Sequence, residues 1–330
     1  MNRTSFLTLL ATTLLSACGG GGGSGSPLGS VATPITFQSV ATEGELVSYT
    51  VDTASLTYSY NIVESAYGKT GATGSGQLTR NLDGTYTPSG FSGKIAVLES
   101  GLLLGAIFED LNNDGTKEVI PVIGISNPVN SSADAAGTYN FISRQCGVGC
   151  TNFFGTFKIN TDGTWQSCVG ANLAVPGFTC QSTMSGGTTN LSAGRATLTF
   201  NGTNAGSILV FKDASSNQKV ALVDLNGATT LGKGAIFGAS QSLPATADGS
   251  WSYLHTDGRS GAVNVTGTSY TDAGKTASGV SYGSSGSLTL NQPWNGLVTT
   301  SGGAVILPAG SGFYAGYFGP NTSISVGLKK

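Results

Sequence analysis

Eight Asp-Gly or Asn-Gly pairs, beginning at Asp83, Asp114, Asp162, Asn201, Asn226, Asp248, Asp257 and Asn295, cut the chain into short segments. Such pairs suit type I′ hairpin turns, in which both central residues need positive φ. Runs of strand formers flank several of them, as with Phe157 to Asn160 before Asp162 and Thr164 and Trp165 after Gly163. Period-two alternation in Val47, Tyr49, Val51 and in Tyr58, Tyr60, Ile62 gives each of these strands one apolar face. Uninterrupted apolar runs at Ile95 to Leu98, Leu102 to Phe108, Ile208 to Phe211 and Val220 to Val223 read as strands buried on both faces. No stretch joins helix caps to a 3.6-residue period over three turns. The expected fold is all-β, made of antiparallel sheets.

Composition narrows what such a fold does. Of 330 residues, 51 are glycine and only 10% are charged, against about 25% in an ordinary soluble domain. An apolar fraction of 39% is enough for a packed core. With 15 basic and 17 acidic residues the chain lacks the positive surface that nucleic acid requires, so no nucleic-acid partner is expected. One histidine leaves little room for His-based catalysis or metal clusters.

The chain also resembles itself. GQLTRNLDGTY (Gly76 to Tyr86) and GTFKINTDGTW (Gly155 to Trp165) share one pattern, preceded by YNIV (Tyr60 to Val63) and YNFI (Tyr139 to Ile142). KIAVLE and LLLGAIFEDLN follow the first copy, and SILVFK and KVALVDLN the second. A weaker third copy runs from Trp251 through GAVNVTGTSY (Gly261 to Tyr270) to AVILPAGSGFYAGYF (Ala304 to Phe318). Three tandem β-modules of about six strands each are expected, over residues 28–133, 134–245 and 246–330, as small barrels or sandwiches, with separate or shared sheets.

The N-terminus reads as a targeting segment over residues 1–17. Met1 to Arg3 carries positive charge, and Ser5 to Ala17 is uncharged and mostly apolar, too short for the roughly 20 residues of a membrane-spanning helix. It ends Leu15, Ser16, Ala17, Cys18, then a Gly/Ser run to Ser26. This resembles the lipobox of bacterial lipoprotein precursors. The resemblance implies lipidation at Cys18, with residues 18–27 as lipidated cysteine and tether, and several acyl chains make such an attachment durable. Gly19 in place of Asp implies sorting to the outer membrane, with either face open. The implied partner is the membrane, reached through the lipid anchor.

Four more cysteines, Cys146, Cys150, Cys168 and Cys180, all fall in the middle module. In an exported chain an even number reads as disulfides, and the spacing lacks the paired CxxC hooks of a zinc ribbon. A two-residue turn at Asp162 and Gly163 would set Cys168 opposite Phe157, which favours pairing Cys146 with Cys150 and Cys168 with Cys180. Asp110, Asn112, Asp114 and Glu118 resemble the oxygen-rich loops that hold Ca2+, although Pro121 stands where an EF-hand carries its bidentate Glu. A solvated turn is the alternative for that loop. Gly279 to Gly283 matches G-x-S-x-G without the strand-turn-helix setting the motif needs. His255 follows Trp251 and Tyr253 on one strand face, as part of an aromatic stripe.

The expected function is non-catalytic: binding, adhesion or a structural role in the cell envelope, with a glycan or protein ligand suited to a neutral Ser/Thr/Gly surface. The alternative is a surface hydrolase of polysaccharide or peptidoglycan, using paired carboxylates among Glu43, Glu45, Glu64, Glu99, Glu109 and Asp110. No catalytic residue is assigned and no cofactor is expected beyond a Ca2+ ion in the Asp110 loop.

Overall fold

A computed structural model describes residues 34–330 except 91–93, 98–99, 112, 148, 174–179, 181, 193 and 242–246. The signal segment, Cys18 and the tether, together with Glu99 and Asn112, lie outside the described residues.

The strands form three antiparallel meanders of eight. The first comprises β1 (Ile35–Ala41), β2 (Glu45–Asp52), β3 (Thr57–Ser65), β4 (Thr73–Arg80), β5 (Tyr86–Pro88), β6 (Ala96–Val97), β7 (Leu102–Glu109) and β8 (Glu118–Ile125). A four-residue helix, α1 (Ser132–Ala135), leads into the second: β9 (Gly137–Cys146), β10 (Cys150–Ile159), β11 (Thr164–Val169), β12 (Ser182–Ser192), β13 (Arg195–Phe200), β14 (Thr203–Lys212), β15 (Lys219–Asn226) and β16 (Lys233–Ser240). The third comprises β17 (Gly249–His255), β18 (Ser260–Thr266), β19 (Ser269–Lys275), β20 (Ser281–Leu290), β21 (Val298–Thr300), β22 (Val305–Pro308), β23 (Phe313–Tyr317) and β24 (Ile324–Lys329). In each meander the first strand pairs with the last. The second and third are closed barrels. The first is an eight-stranded sheet curled into a near-barrel, its two edges meeting at a single bridge where Tyr86 and Ile95 exchange both backbone hydrogen bonds at 2.8 Å. Each module thus holds eight strands rather than about six, because short strands such as β5, β6 and β21 carry too few residues to show a period.

The self-similarity also maps differently from its reading in sequence. YNIV and GQLTRNLDGTY fall on β3 to β5, the third to fifth strands of barrel one. Their counterparts fall on β9 to β11, the first to third of barrel two. The later segments do coincide: KIAVLE carries β6 and SILVFK lies in β14, each the sixth strand, and LLLGAIFEDLN forms β7 and KVALVDLN forms β15, each the seventh. The front-half resemblance is therefore between hairpins of one kind, not between equivalent positions.

Those hairpins are not type I′ turns. At Asp83, Asp162 and Asp257 the loop is three residues long, with the amide of Gly84, Gly163 or Gly258 donating back to Asn81, Asn160 or His255. Only the glycine takes positive φ, at 81°, 84° and 79°. The aspartate instead accepts from the amide two residues on, as from Thr85, Thr164 and Arg259. Among the eight pairs only Asn201 and Gly202 both have positive φ, 50° and 76°. The extra loop residue shifts the ladder, so Cys168 faces Thr156 and not Phe157. A one-residue slip moves a side chain to the other face. Phe157 accordingly packs inside the barrel while the cystine lies on the opposite face. The cysteines pair as Cys146 with Cys150 and Cys168 with Cys180.

The runs without alternation are explained by two different cores. Leu103 and Ile107 of β7 fill barrel one, whereas Leu102, Leu104 and Ala106 join an apolar cluster shared by all three barrels. In barrel two Ile208, Val210, Ala221 and Val223 face inward, and Leu209, Phe211, Val220 and Leu222 enter the shared cluster. Barrel three contributes Leu254, Leu307, Phe313, Val326 and others. A strand that faces a lumen on one side and a neighbouring barrel on the other must be apolar on both. Polar ties ring this core: Glu43 accepts from Arg144 at 2.7 Å, Glu64 accepts from Ser207 at 2.9 Å, Asn140 accepts from Trp294 at 2.8 Å, and Lys330 pairs with Asp83 at 2.8 Å. Each barrel touches both others.

Candidate functional site

Eight strands make a barrel just wide enough for its side chains to fill, or wide enough for one small ligand when they do not. The glycine content settles which. Inward aromatics lie over inward glycines of a neighbouring strand: Tyr58 over Gly76, Trp165 over Gly186, Tyr253 over Gly261, Tyr270 over Gly286, Tyr282 over Gly274 and Tyr314 over Gly327. A Cβ at Gly274 would stand 2.7 Å from the Tyr282 hydroxyl, and one at Gly286 2.8 Å from the Tyr270 ring. Each ring occupies room that its glycine leaves. The pairing also sets local volume, since a ring lying on the wall leaves the centre empty unless other large residues enter it.

In barrel two they do. Phe141, Phe157, Ile159, Trp165, Leu198 and Val223 converge, with Tyr139 and Phe157 stacked at 4.7 Å, and leave about 40 Å³. In barrel one Tyr49, Tyr58 and Tyr60 stack at 6.0 Å within the apolar interior. Barrel three leaves about 260 Å³. Its inward residues on β17 are buried, yet on β18 to β20 Val263, Tyr270, Asp272 and Tyr282 are only half-buried and Ser284 is exposed. The cavity opens on that side.

The lumen is apolar near Ala247, Trp251, Val265, Leu288, Val298 and Ile306, and polar near Tyr253, His255, Arg259 and Asp272. The Tyr253 hydroxyl donates to Asp272 at 2.5 Å and lies 2.5 Å from the Tyr282 hydroxyl. Burial raises the Asp272 carboxyl above its usual range, offset in part by the Tyr253 hydrogen bond and the Arg259 charge. Arg259 is itself paired with Asp257 at 2.8 Å and donates to Ser323 at 3.0 Å. Burial and then the Arg259 charge hold His255 well below the ordinary histidine range, so it is neutral at pH 7. The aromatic stripe seen in sequence is real: Trp251, Tyr253 and His255 share the inward face of β17, with His255 edge-on to Tyr253 at 5.1 Å. Its role as the wall of a hollow was not readable, because strand spacing says which face is apolar but not how much of the enclosed space is filled.

Of the acids that a hydrolase would use, those among the described residues are held in structural ties, with Glu45 and Glu64 gathered beside Asp224 at the junction of barrels one and two. Glu43 meets Arg144, and also lies 3.0 and 3.3 Å from the sulfurs of Cys146 and Cys150, whose disulfide leaves no thiolate to hold a metal. Glu45 accepts from Ser65, Glu64 pairs with Arg195 at 2.8 Å, and Glu109 accepts from Tyr60 at 2.9 Å. In the Ca2+-type loop both Asp110 oxygens accept backbone amides, from Asp114 at 3.1 Å and Gly115 at 3.0 Å, and Asp114 accepts from Thr116. Glu118 sits across the ladder from Glu109. The arrangement is that of a self-bonded turn. Ser281 of G-x-S-x-G begins β20 and is followed by strand, not helix.

No protein-family model matches the chain, and no curated protein matches it. Among solved structures, the β subunit of the DNA polymerase of Streptococcus pyogenes aligns over 93% of this chain and 94% of its own, at 9% identity and a TM-score of 0.16. A DNA polymerase sliding clamp from Pseudomonas aeruginosa aligns over 90% and 92%, at 8% identity and the same TM-score of 0.16. Likeness at this level carries no argument about the fold or the function.

Proposed function

We propose that the chain is a lipid-anchored lipoprotein of the bacterial outer membrane that binds a ligand and does not turn one over. The observation that carries this reading is the hollow third barrel, an apolar pocket with a few convergent polar groups, which is the usual form of a small-ligand site. The lipobox resemblance at Cys18 supports the anchor. The outer face of β2 to β4, presenting Ser48, Thr50, Ser59, Asn61, Thr73 and Ser75, supports a further contact with glycan or protein through uncharged hydroxyls and amides. Labelling with radioactive palmitate tests the anchor: the wild type should incorporate label, and Cys18→Ala should not. Protease shaving of whole cells decides which membrane face the body occupies. Binding to an array of envelope glycans tests the outer face, and polysaccharide or peptidoglycan turnover that disappears in Glu109→Gln would overturn the non-catalytic reading.

A further inference from the structure

We propose that the lumen of the third barrel binds a small, slender apolar molecule whose head group donates hydrogen bonds, an alcohol or a protonated amine, with that head against Asp272. The inference deepens the binding reading above and rests on it for its biological sense, though not for its test.

Size comes first. At roughly 30 Å³ per water, 260 Å³ holds about nine waters, so the occupant has on the order of nine or ten non-hydrogen atoms. From Trp251 to His255 the inward face of β17 runs four residues, about 13 Å at strand rise, which favours an elongated shape. Shape alone leaves the head group open.

Proton accounting closes it. Tyr253 has one hydroxyl proton, and Asp272 takes it. The Tyr282 hydroxyl, 2.5 Å from that of Tyr253, must therefore be the donor in the second bond. The phenolic protons run in relay, Tyr282 to Tyr253 and Tyr253 to the carboxylate, and what remains unused on the side chains of Tyr253, Tyr282 and Asp272 is lone pairs. A newcomer at this cluster has to donate. The cation lining the pocket, Arg259, is already paired with Asp257 and bonded to Ser323, so a ligand carboxylate would meet Asp272 without a free counter-charge from the lining. His255 is neutral and adds no positive charge. An anionic head is thus disfavoured and a donor head favoured. The aromatic walls, Trp251, Tyr270, Tyr314 and Phe318, accommodate the apolar body, and their electron-rich faces suit an ammonium as well.

The test is calorimetry on the full chain carrying Cys18→Ser, with octan-1-ol, octylammonium and octanoate as probes of equal length. Saturable binding of the alcohol and the amine is expected, with octanoate at least tenfold weaker. Asp272→Asn should weaken octylammonium at least tenfold and the alcohol by less. Tyr282→Phe, which keeps the ring over Gly274, should weaken the alcohol severalfold without changing the circular dichroism spectrum. Leu288→Trp should fill the lumen and abolish binding of all three. Octanoate binding as tightly as octylammonium, no binding by any probe, or indifference to Asp272→Asn would each overturn the proposal. Because the glycan array reads the outer face, its outcome separates failure of this site from failure of the binding reading as a whole.

Discussion

Barrels two and three have the same strand number, the same meander order and the same closure of first strand on last, yet about 40 Å³ is left open inside one and about 260 Å³ inside the other. The difference lies in the residues that project inward. Barrel two sends Phe141, Phe157, Ile159 and Leu198 across its centre. Barrel three places Gly261, Gly274, Ser284 and Gly286 on the strands opposite its aromatics. Strand count fixes the circumference, and side-chain volume then decides between a core and a container.

Truncating the same kind of residue in each barrel should expose the contrast most strongly. Phe157→Ala opens a cavity in a filled interior and is expected to cost about 3 to 5 kcal/mol, read from urea unfolding. Leu288→Ala borders space that is already empty, so only the transfer part, about 2 kcal/mol, should be lost. Equal losses would mean that the third barrel is filled in solution.

The disulfides belong to barrel two alone. In the chain-entropy treatment, removing Cys168–Cys180, a separation of 12, should cost about 3 kcal/mol, and removing Cys146–Cys150, a separation of 4, about 2 kcal/mol. Hydrogen exchange after replacement of each pair by serine should show faster opening of β10 and β11 before β18 and β19. Uniform loss across both barrels would show that the shared core makes them a single cooperative unit.

Glycine substitutions give a smaller effect and a finer comparison. A Cβ at Gly186 would collide with the backbone carbonyl of Thr199, which cannot move, so Gly186→Ala should cost about 1 to 3 kcal/mol. At Gly286 the obstacles are the side chains of Ser301 and Tyr270, and Tyr270 can swing into the lumen. Gly286→Ala should cost less than about 1 kcal/mol in thermal melts.

Acid and base should act on different parts of the molecule. At the junction of barrels one and two, burial pushes Glu45 up to about 7, and burial followed by the charges of Glu64 and Glu45 raises Asp224 well above its usual range. A carboxyl raised on folding contributes stability that is complete below its unfolded pKa and is lost as pH rises through the folded value. Raising the pH from 6 to 8 should therefore loosen this junction by about 1 kcal/mol, an effect that Glu45→Gln removes. His255 has the opposite sign: its folded pKa is depressed, so its contribution is present above about 6.5 and declines as pH falls below that. Tryptophan fluorescence of variants retaining only Trp251 would follow the third barrel separately.

Much of the architecture was legible. Val47, Tyr49 and Val51 announced a strand with one buried face, and Leu102 to Phe108 announced one buried on both, because alternation and its absence report solvent exposure directly. The strand count was not legible, since Ala96–Val97 and Val298–Thr300 are too short to carry a period. Nor was the register at Cys168. A two-residue and a three-residue loop both end in Asp-Gly here, and only the hydrogen bond from Gly163 to Asn160 distinguishes them. The lumen was half visible: His255, Tyr253 and Trp251 marked its wall. Asp272 went unnoticed because a lone acid between threonine and alanine resembles a surface residue until β18 and β20 close around it.

The placement of β1 between β2 and β8 has a mechanical consequence. A pull applied at Pro34 along the strand loads β1 first, and that strand is gripped on both edges, by six residue pairs on one side and four on the other. Their hydrogen bonds share the load in parallel, so the strand resists as a sheared joint and does not unzip bond by bond. The far end of β1 turns at Gly44, which lies against the backbone of Gly234 in the second barrel. Tension entering the body is therefore handed across the junction to the second barrel.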